Sequence, residues 1–224
     1  MRLAKPAIDV GLYTNQHEEM LSFWQSHKPV TYSELLPIGG GIRQHRHCIG
    51  DSILKINHSR TPLNTSAPCG IHGITLFDSD IEKEEELFDP DGNRLLLKKN
   101  KSGDAPNLRV SLIANDLEKS QDFYGRTLGL SIKSNGAFQA GQSEIEISQG
   151  KVSSDHEQQA IGFRYLTFQV YDVVAEHNQI LAKGGTEGRD PIKLGDVAYI
   201  SFIRDPDGNW IELSQRKSIT GSLS

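Results

Sequence analysis

The pentapeptide Asp-Pro-Asp-Gly-Asn occurs twice in the chain, at residues 89–93 and at residues 205–209. Each copy precedes a short apolar run, Leu95-Leu96-Leu97 in the first case and Ile211-Glu212-Leu213 in the second. Proline at the second position presets φ for a tight turn, and Asp, Gly and Asn supply the side-chain hydrogen bonds and positive φ that such a turn needs. Each copy is therefore predicted to be a hairpin that enters the last strand of a repeated unit.

The beginnings of these units repeat as well. Three alternating segments end just before a residue that can cap a helix: residues 9–14 before Asn15, residues 108–114 before Asp116, and residues 165–171 before Asp172. Each of these three segments is predicted to be a strand that is followed by a helix. A fourth unit begins with a strand at residues 74–77, but only residues 78–86 separate it from the first pentapeptide. We therefore expect a truncated unit without a helix there.

A strand, a helix and three strands that end in this hairpin resemble the glyoxalase or vicinal-oxygen-chelate superfamily, which includes bleomycin resistance proteins and extradiol dioxygenases. Residues 110–130 match most closely, with Asp116-Leu117-Glu118-Lys119-Ser120 leading to Leu128-Gly129-Leu130. The resemblance covers nearly the whole chain. It implies an α+β fold of tandem βαβββ modules that form curved mixed sheets, as in glyoxalases and dihydroxybiphenyl dioxygenases.

The polar, Gly- and Pro-containing stretch at residues 100–106 has the composition of a linker. It divides the chain into an N-terminal glyoxalase-like domain at residues 1–99, with the truncated second module, and a complete C-terminal domain at residues 107–217. Residues 218–224 are expected to be a mobile tail. Each domain is expected to form its own cup, and the better-formed cup is expected in the C-terminal domain.

Composition excludes several classes of partner. The chain has 224 residues and a formal net charge of -5, without a basic stripe, so a nucleic-acid partner is not expected. No stretch approaches eighteen apolar residues and the N-terminus lacks a signal-type apolar core, so we expect a cytoplasmic protein without membrane contact. Cys48 and Cys69 are expected to stay reduced. The expected partners are a small molecule and, because the truncated unit leaves a sheet edge, a second copy of the chain.

Strand alternation predicts which residues face the cup. At residues 165–171 the apolar positions point toward the helix, so Tyr165, Thr167 and Gln169 point the other way. The same parity directs Arg109 and Ser111 into a cup. Further cup-facing residues are predicted on the other units: Asp9, Gly11 and Tyr13 on the first, and Gly73, Thr75 and Phe77 on the second.

The resemblance also implies where a metal would lie, because metal-using relatives place a histidine or glutamine on the opening strand and a glutamate on the closing strand. The corresponding opening positions are Asp9, Gly73, Arg109 and Tyr165, and the closing positions are Lys55, Leu96, Glu146 and Glu212. None is a histidine, so no metal is expected to be required. If Fe, Mn, Ni or Zn binds in this cup, Glu146 and Glu212 are the expected ligands. Asp9 and Lys55 are expected to pair with each other.

Arg109 allows two interpretations. It can form a structural ion pair with Glu146 that closes an inherited, inactive cavity. Alternatively, Glu212 acts as general base, Arg109 as electrophile for a developing enolate and Tyr165 as proton donor. The substrate-binding candidates are then Glu146, Ser111, Thr167, Gln169 and Trp210.

His45 and His47 offer a second metal site, since an i, i+2 pair on one strand can ligate a metal if a third donor approaches. Together with Arg43 and Lys55 they could instead line a cationic pocket. The alternative is that they are surface or structural histidines on a solvated face of the sheet.

The sequence thus leaves three functions open. The first is a lyase, isomerase or dioxygenase-like enzyme that acts on a small oxygen-rich or aromatic compound through a degenerate metal site. The second is a non-catalytic protein that binds a drug or metabolite. The third is a structural homologue that serves mainly in dimerisation.

Overall fold

Four modules follow one another in the computed structural model, which describes residues 1–100 and 105–223. Module 1 contains β1 (Leu3–Thr14), α1 (His17–Gln25), β2 (Thr31–Gly39), β3 (Ile42–Ile49) and β4 (Ser52–Ser59). Module 2 contains only strands, β5 (Ile71–Asp78), β6 (Glu85–Phe88) and β7 (Arg94–Lys99). Among the described residues, no helix lies between β5 and β7.

The second half of the chain has two complete modules. Module 3 contains β8 (Leu108–Ala114), α2 (Leu117–Asp122), a π-helical turn (Phe123–Thr127), β9 (Ser131–Ile132), β10 (Phe138–Ala140) and β11 (Ser143–Gln149). Module 4 contains β12 (Gly162–Val170), α3 (Val173–Ala182), β13 (Thr186–Leu194), β14 (Ala198–Arg204) and β15 (Trp210–Arg216). A short helix, α4 (Lys217–Thr220), follows in the segment predicted to be a tail. Residues 101–104 of the predicted linker and residue 224 of the tail lie outside the described residues.

The strands form two mixed sheets, which confirms the expected α+β fold class. Sheet I has the strand order β13-β14-β15-β12-β1-β4-β3-β2 and therefore joins module 1 to module 4. Sheet II has the order β6-β7-β5-β8-β11-β10-β9 and joins module 2 to module 3. This pairing corrects the expectation that residues 1–99 and residues 107–217 each form their own cup. The domain boundary at residues 100–106 stays a prediction.

The central strand pairs of the two sheets differ in length. The long strands β1 and β12, of 12 and 9 residues, pair antiparallel at the centre of sheet I. The shorter strands β5 and β8, of 8 and 7 residues, pair antiparallel in sheet II.

One continuous apolar core lies between the sheets and the helices. It contains residues from all four modules, among them Ile8, Trp24, Leu76, Tyr124 and Phe168, each of which is completely buried. On β1 and β12 these core residues alternate with the residues predicted to face a cup, as the period of two requires. No helix among the described residues has the length and apolarity to cross a lipid bilayer.

The second pentapeptide turn connects three modules. Asp205 accepts hydrogen bonds from the backbone N–H groups of Asp207 and Asn209, at 3.0 and 2.8 Å, and from the hydroxyl of Tyr124 in module 3, at 2.9 Å. Asn209 Oδ1 accepts from the N–H of Gly70, just before β5, at 2.6 Å.

The first turn repeats these contacts. Asp89 accepts from the indole of Trp24 in module 1 at 3.2 Å, and Asn93 Oδ1 accepts from the N–H of Phe163 in module 4 at 3.0 Å. Gly92 and Gly208 have φ of +82° and +81°, as predicted for glycine in these turns. Each turn thus binds an aromatic side chain from the helical segment of the preceding module. Each turn also binds the backbone at the opening strand of the other sheet, so the repeated motif holds the two sheets together.

Two of the three predicted helix caps are present. Asp116 accepts from the N–H of Lys119 and Asp172 from that of Ala175. Asn15 does not cap α1. Its side chain instead bonds the carbonyls of Ser59 and Thr61, because the chain following β4 passes beside it.

Candidate functional site

Sheet I curves around a cavity of about 630 Å³. Its base is formed by β1, β4, β12 and β15, the four adjacent central strands, while β2 and β13 at the two edges contribute to its mouth. The mouth is apolar and is lined by Leu36, Pro37, Ile38, Ile192, Leu194 and Val197. A ligand that enters the cavity therefore passes an apolar rim before it reaches polar groups.

Three polar side chains meet at the base. Lys55 Nζ lies 2.8 Å from Glu212 Oε2 and donates to Thr167 Oγ1 at 2.7 Å, and the Thr167 hydroxyl donates to the same Glu212 oxygen at 2.8 Å. Lys55, Thr167 and Glu212 are at most 9 % exposed, so solvent screens this triangle only weakly. Lys55 is on β4 and Glu212 on β15, with β1 and β12 between them. Only the curvature of the sheet lets these side chains meet, because three strand spacings span about 14 Å in a flat sheet.

Tyr165 forms one wall beside the triangle. Its hydroxyl accepts hydrogen bonds from Asn57 Nδ2 at 3.1 Å and from Gln44 Nε2 at 3.4 Å. Its ring crosses β1 at Gly11, where a Cβ atom would lie 2.1 Å from the ring. Glycine is therefore required at this position for Tyr165 to reach the cavity.

Asp9 does not pair with Lys55, contrary to the expectation from the sequence. Lys55 lies opposite Gly11 in the parallel pairing of β1 and β4, so Asp9 is two residues out of register with it. Asp9 instead forms an ion pair with Lys5, accepts from the N–H of Ile53 at 2.9 Å and accepts from Gln169 Nε2 at 3.3 Å.

The charged residues that line the cavity carry an excess of positive charge. They are Lys55, Arg189 and Arg216 against the single acid Glu212. Arg189 is held over the ring of Phe202, with its guanidinium carbon 5.3 Å from the ring centroid, and donates to Gln158 at 3.0 Å. The charged side chains that line the cavity thus carry a net positive charge.

Burial controls the ionisation of the groups in the cavity. Loss of solvation lowers the pKa of Lys55, and the negative charges of Glu212 and Asp9 oppose that change. Burial, with a contribution from Glu212, raises the pKa of Tyr13 to about 12. The pKa of Tyr165 is raised well above its usual value, mainly by burial, so its hydroxyl stays protonated at neutral pH.

The residues predicted from the sequence are divided between the two sheets. Glu212, Tyr165, Thr167 and Gln169 come together in sheet I as expected from their parity. Trp210 packs at the side of the cup against Phe202, with ring centroids 6.0 Å apart. Arg109, Ser111 and Glu146 lie on β8 and β11 of sheet II, so the expected convergence of Arg109 and Glu146 with Tyr165 and Glu212 does not occur.

Arg109 forms an ion pair, but with Glu144 rather than Glu146. The Arg109 guanidinium donates to Glu144 Oε2 at 2.8 and 3.0 Å, and Lys133 donates to the other oxygen at 2.7 Å. Glu144 is opposite Arg109 in the parallel register of β11 and β8, whereas Glu146 is opposite Ser111 and exposed. The cation at the base of the sheet I cup is therefore Lys55, whose expected partner was Asp9.

His45 and His47 do not share a pocket with Lys55. Gln44 contacts Tyr165 inside the cup, and neighbouring residues on a strand point to opposite faces, so His45 and His47 face helix α1. His47 Nε2 is 3.0 Å from Gln25 Nε2 on that helix. Gln44 and Asn57 were not identified from the sequence, although the parity of β3 and β4 would have indicated them.

The residues of the sheet I cup do not fit a divalent metal. An ion between β4 and β15 needs converging lone pairs, but Lys55 lies there as an ammonium that donates to both Glu212 and Thr167 and has no lone pair to offer. Among the described residues, clusters of three His, Cys, Asp or Glu donors occur at His17/His45/His58 and at His177/Glu187/Asp190, both outside this cup. We therefore derive no metal-dependent step in the cup.

Comparison with known proteins identifies the family. Residues 108–213 match the model of the Glyoxalase/Bleomycin resistance protein/Dioxygenase superfamily. A probable lactoylglutathione lyase from Vibrio cholerae is 30% identical over 131 residues, which cover 52% of this chain and 94% of that protein. The chain belongs to this superfamily. A lactoylglutathione lyase from Neisseria meningitidis is 28% identical over 132 residues, covering 52% of this chain and 95% of the relative.

The glyoxalase fold extends over both halves of the described chain. Glyoxalase I from Zea mays superposes with a TM-score of 0.76, and the match covers 96% of this chain and 92% of the maize chain at 14% identity. At that identity the similarity shows the fold alone. The expected resemblance to glyoxalases and the expected fold are both confirmed, while the chemistry depends on the residues of the cup.

Proposed function

We propose that this glyoxalase-superfamily protein binds a small oxygen-rich or aromatic compound in the sheet I cup and acts on it without a metal ion in that cup. The observation that carries the proposal is the buried Lys55, Thr167 and Glu212 triangle at the base of a 630 Å³ cavity. In this proposal the Lys55 ammonium takes the electrophilic role that was expected for Arg109.

Charge and shape support a ligand with two unlike ends. Arg189 and Arg216 attract a carboxylate or another anionic oxygen, while Tyr13, Phe202 and the apolar mouth accept an apolar or planar part. Cavities of this size and composition are typical of small-molecule sites.

The proposed chemistry is proton transfer next to a carbonyl group. A lysine ammonium has three N–H donors, and two of those of Lys55 are used by Glu212 and Thr167, so the third can donate to a carbonyl oxygen of the ligand. Glu212 accepts through Oε2, which leaves Oε1 as the base for a proton on the neighbouring carbon. Tyr165 then supplies a hydroxyl that remains protonated.

The alternative function is binding without turnover. It is favoured by the mutual contact of Lys55 and Glu212, which satisfy each other in the absence of a ligand. A lactoylglutathione lyase activity, as the names of the relatives suggest, is the more specific form of the enzymatic proposal. The cytoplasmic location and the homodimer stay predictions.

Variants of Arg189 and Glu212 separate binding from turnover. We expect at least one compound in a panel of small keto acids, hydroxy acids and aryl carboxylates to raise the melting temperature. Arg189→Gln should weaken the binding of that compound about tenfold, because a charged hydrogen bond contributes about 1.5 kcal/mol. Glu212→Gln is expected to keep binding but lower turnover by about 10² to 10⁴, the usual contribution of a general base. Calorimetric titration and product analysis measure these effects.

Arg109→Gln is the matched control, because Arg109 lies on sheet II. Its binding and turnover should equal those of the unmodified protein. Equal losses in Arg109→Gln and Arg189→Gln would refute the assignment of the cup. Binding without any Glu212-dependent turnover would support the binding alternative. A bound metal that disappears in Glu212→Ala would refute metal-free chemistry in this cup.

A further inference from the structure

Three histidines meet on the face of sheet I opposite the cup. His17 is the first residue of α1, His45 lies on β3 and His58 is near the end of β4. Each residue has one ring nitrogen that lies within 4.8 Å of a ring nitrogen of each of the other two. These residues are 28 and 13 positions apart in the sequence, so only the packing of α1 on the sheet brings them together.

The distances suit a shared ion. His17 Nε2 is 3.1 Å from His45 Nε2, and the rings of His17 and His58 are stacked with centroids 4.5 Å apart. Two nitrogens bound to one tetrahedral Zn²⁺ at about 2.0–2.1 Å are roughly 3.3 Å apart. His17 and His45 are thus close to the separation required, and a nitrogen of His58 lies within 4.8 Å of one in each of them.

The surroundings leave ligand atoms available. His45 is 6% exposed, and its Nε2 has the His17 ring as its neighbour. His58 Nδ1 is buried and has no hydrogen-bond partner within the part of the chain that the structure describes. Arg43 and Arg60 add positive charge near His58, which opposes a cation and limits its affinity.

We propose that His17, His45 and His58 bind a borderline transition-metal ion such as Zn²⁺. Imidazole nitrogen is a preferred donor for Zn²⁺, Cu²⁺ and Ni²⁺, and three protein ligands leave a fourth position for water or an anion. The site replaces the His45 and His47 pair considered from the sequence, because His47 contacts Gln25 instead. It is independent of the function proposed for the cup.

A metal at this site would tie the start of α1 to β3 and β4. Next to His17, the Gln16 side chain donates to Pro90 O at 3.0 Å and to Asp91 Oδ1 at 2.6 Å in the first pentapeptide turn. The ion would therefore fix the helix whose other end carries Trp24, the aromatic contact of that same turn. We assign it a structural role, which predicts a higher melting temperature in the presence of Zn²⁺.

Metal titration of the full chain tests the proposal. After removal of bound metal, we expect one equivalent of Zn²⁺ by calorimetry and a Co²⁺ absorption spectrum typical of tetrahedral nitrogen coordination. His17→Gln and His58→Gln should each weaken Zn²⁺ binding at least tenfold, with an unchanged far-UV circular dichroism spectrum. Glu187→Gln, which alters the His177, Glu187 and Asp190 cluster, should bind Zn²⁺ normally.

Several results would overturn the site. They are the absence of Zn²⁺ binding by the unmodified chain, normal binding by the His17→Gln/His58→Gln double variant, or a loss in Glu187→Gln equal to that in His17→Gln. If the histidine variants do not fold, the imidazole NMR signals of the unmodified chain decide: Zn²⁺ must shift those of His17, His45 and His58, and shifts confined to other histidines refute the proposal. Glu212→Gln should leave Zn²⁺ binding at the histidines unchanged, so failure of the metal-site proposal can be distinguished from failure of the function proposed for the cup.

Discussion

Lys55→Met is expected to lower the free energy of unfolding by about 3 kcal/mol, at the lower end of the cost of breaking a buried ion pair. Lys55 and Glu212 are 4% and 9% exposed, so the variant leaves the Glu212 carboxylate with Thr167 as its remaining partner in a poorly solvated cup. Urea unfolding followed by circular dichroism measures the change. The double variant Lys55→Met/Glu212→Leu should recover most of the loss, since apolar replacement of both partners removes the unpaired charge.

Lys133→Met provides the comparison. Lys133 also pairs with a buried glutamate, Glu144, but its side chain is 34% exposed and Glu144 keeps Arg109 as a partner. A cost below about 1 kcal/mol is expected for such a pair. If Lys55→Met lowers the free energy of unfolding no more than Lys133→Met does, the Lys55 and Glu212 pair is not a buried ion pair at the bottom of the cup.

Asp205→Ala is expected to lower the free energy of unfolding by about 4 kcal/mol, because four buried donors lose their acceptor and each costs roughly 1 kcal/mol or more. The donors are the N–H groups of Asp207 and Asn209, the Asn209 amide and the Tyr124 hydroxyl. Thermal and urea unfolding of the variant measure the effect. Tyr124→Phe, alone and combined with Asp205→Ala, gives the coupling between module 3 and this turn.

The other copy of the motif is the matched control. Asp89→Ala should cost about half as much, because Trp24 can keep its contact with Met20 Sδ at 3.2 Å and the first turn is less buried than the second. Equal losses for Asp89→Ala and Asp205→Ala would contradict the unequal burial of the two turns. A loss below about 1 kcal/mol for Asp205→Ala would contradict its role in holding the sheets together.

The pairing of modules gives these turns their importance. Sheet I joins the first and last modules, and sheet II joins the middle two, so every sheet depends on contacts between distant parts of the chain. Asn93 binds the start of β12 and Asn209 binds the residue before β5, so each turn reaches the opposite sheet. The motif that identified the repeat in the sequence is thus also the structural contact between its copies.

The sequence by itself determined the local features of this protein. The pentapeptide turns, the caps at Asp116 and Asp172, the truncated second module and the cup-facing side of Tyr165, Thr167 and Gln169 all follow from residue types and short spacings. Such features depend on turn chemistry and on a period of two, which neighbouring residues encode. They were sufficient to indicate the superfamily and the module structure.

Only the tertiary structure decided which residues meet. Strand periodicity fixes the face of a residue but not the strand beside it, so Arg109 and Glu212 were expected together although they lie on different sheets. The contact of Lys55 with Glu212 requires a curved sheet that brings together strands separated by two others, and the His17, His45 and His58 cluster requires α1 to pack on that sheet. Both depend on long-range matching of strand edges and faces, which no short segment of sequence encodes.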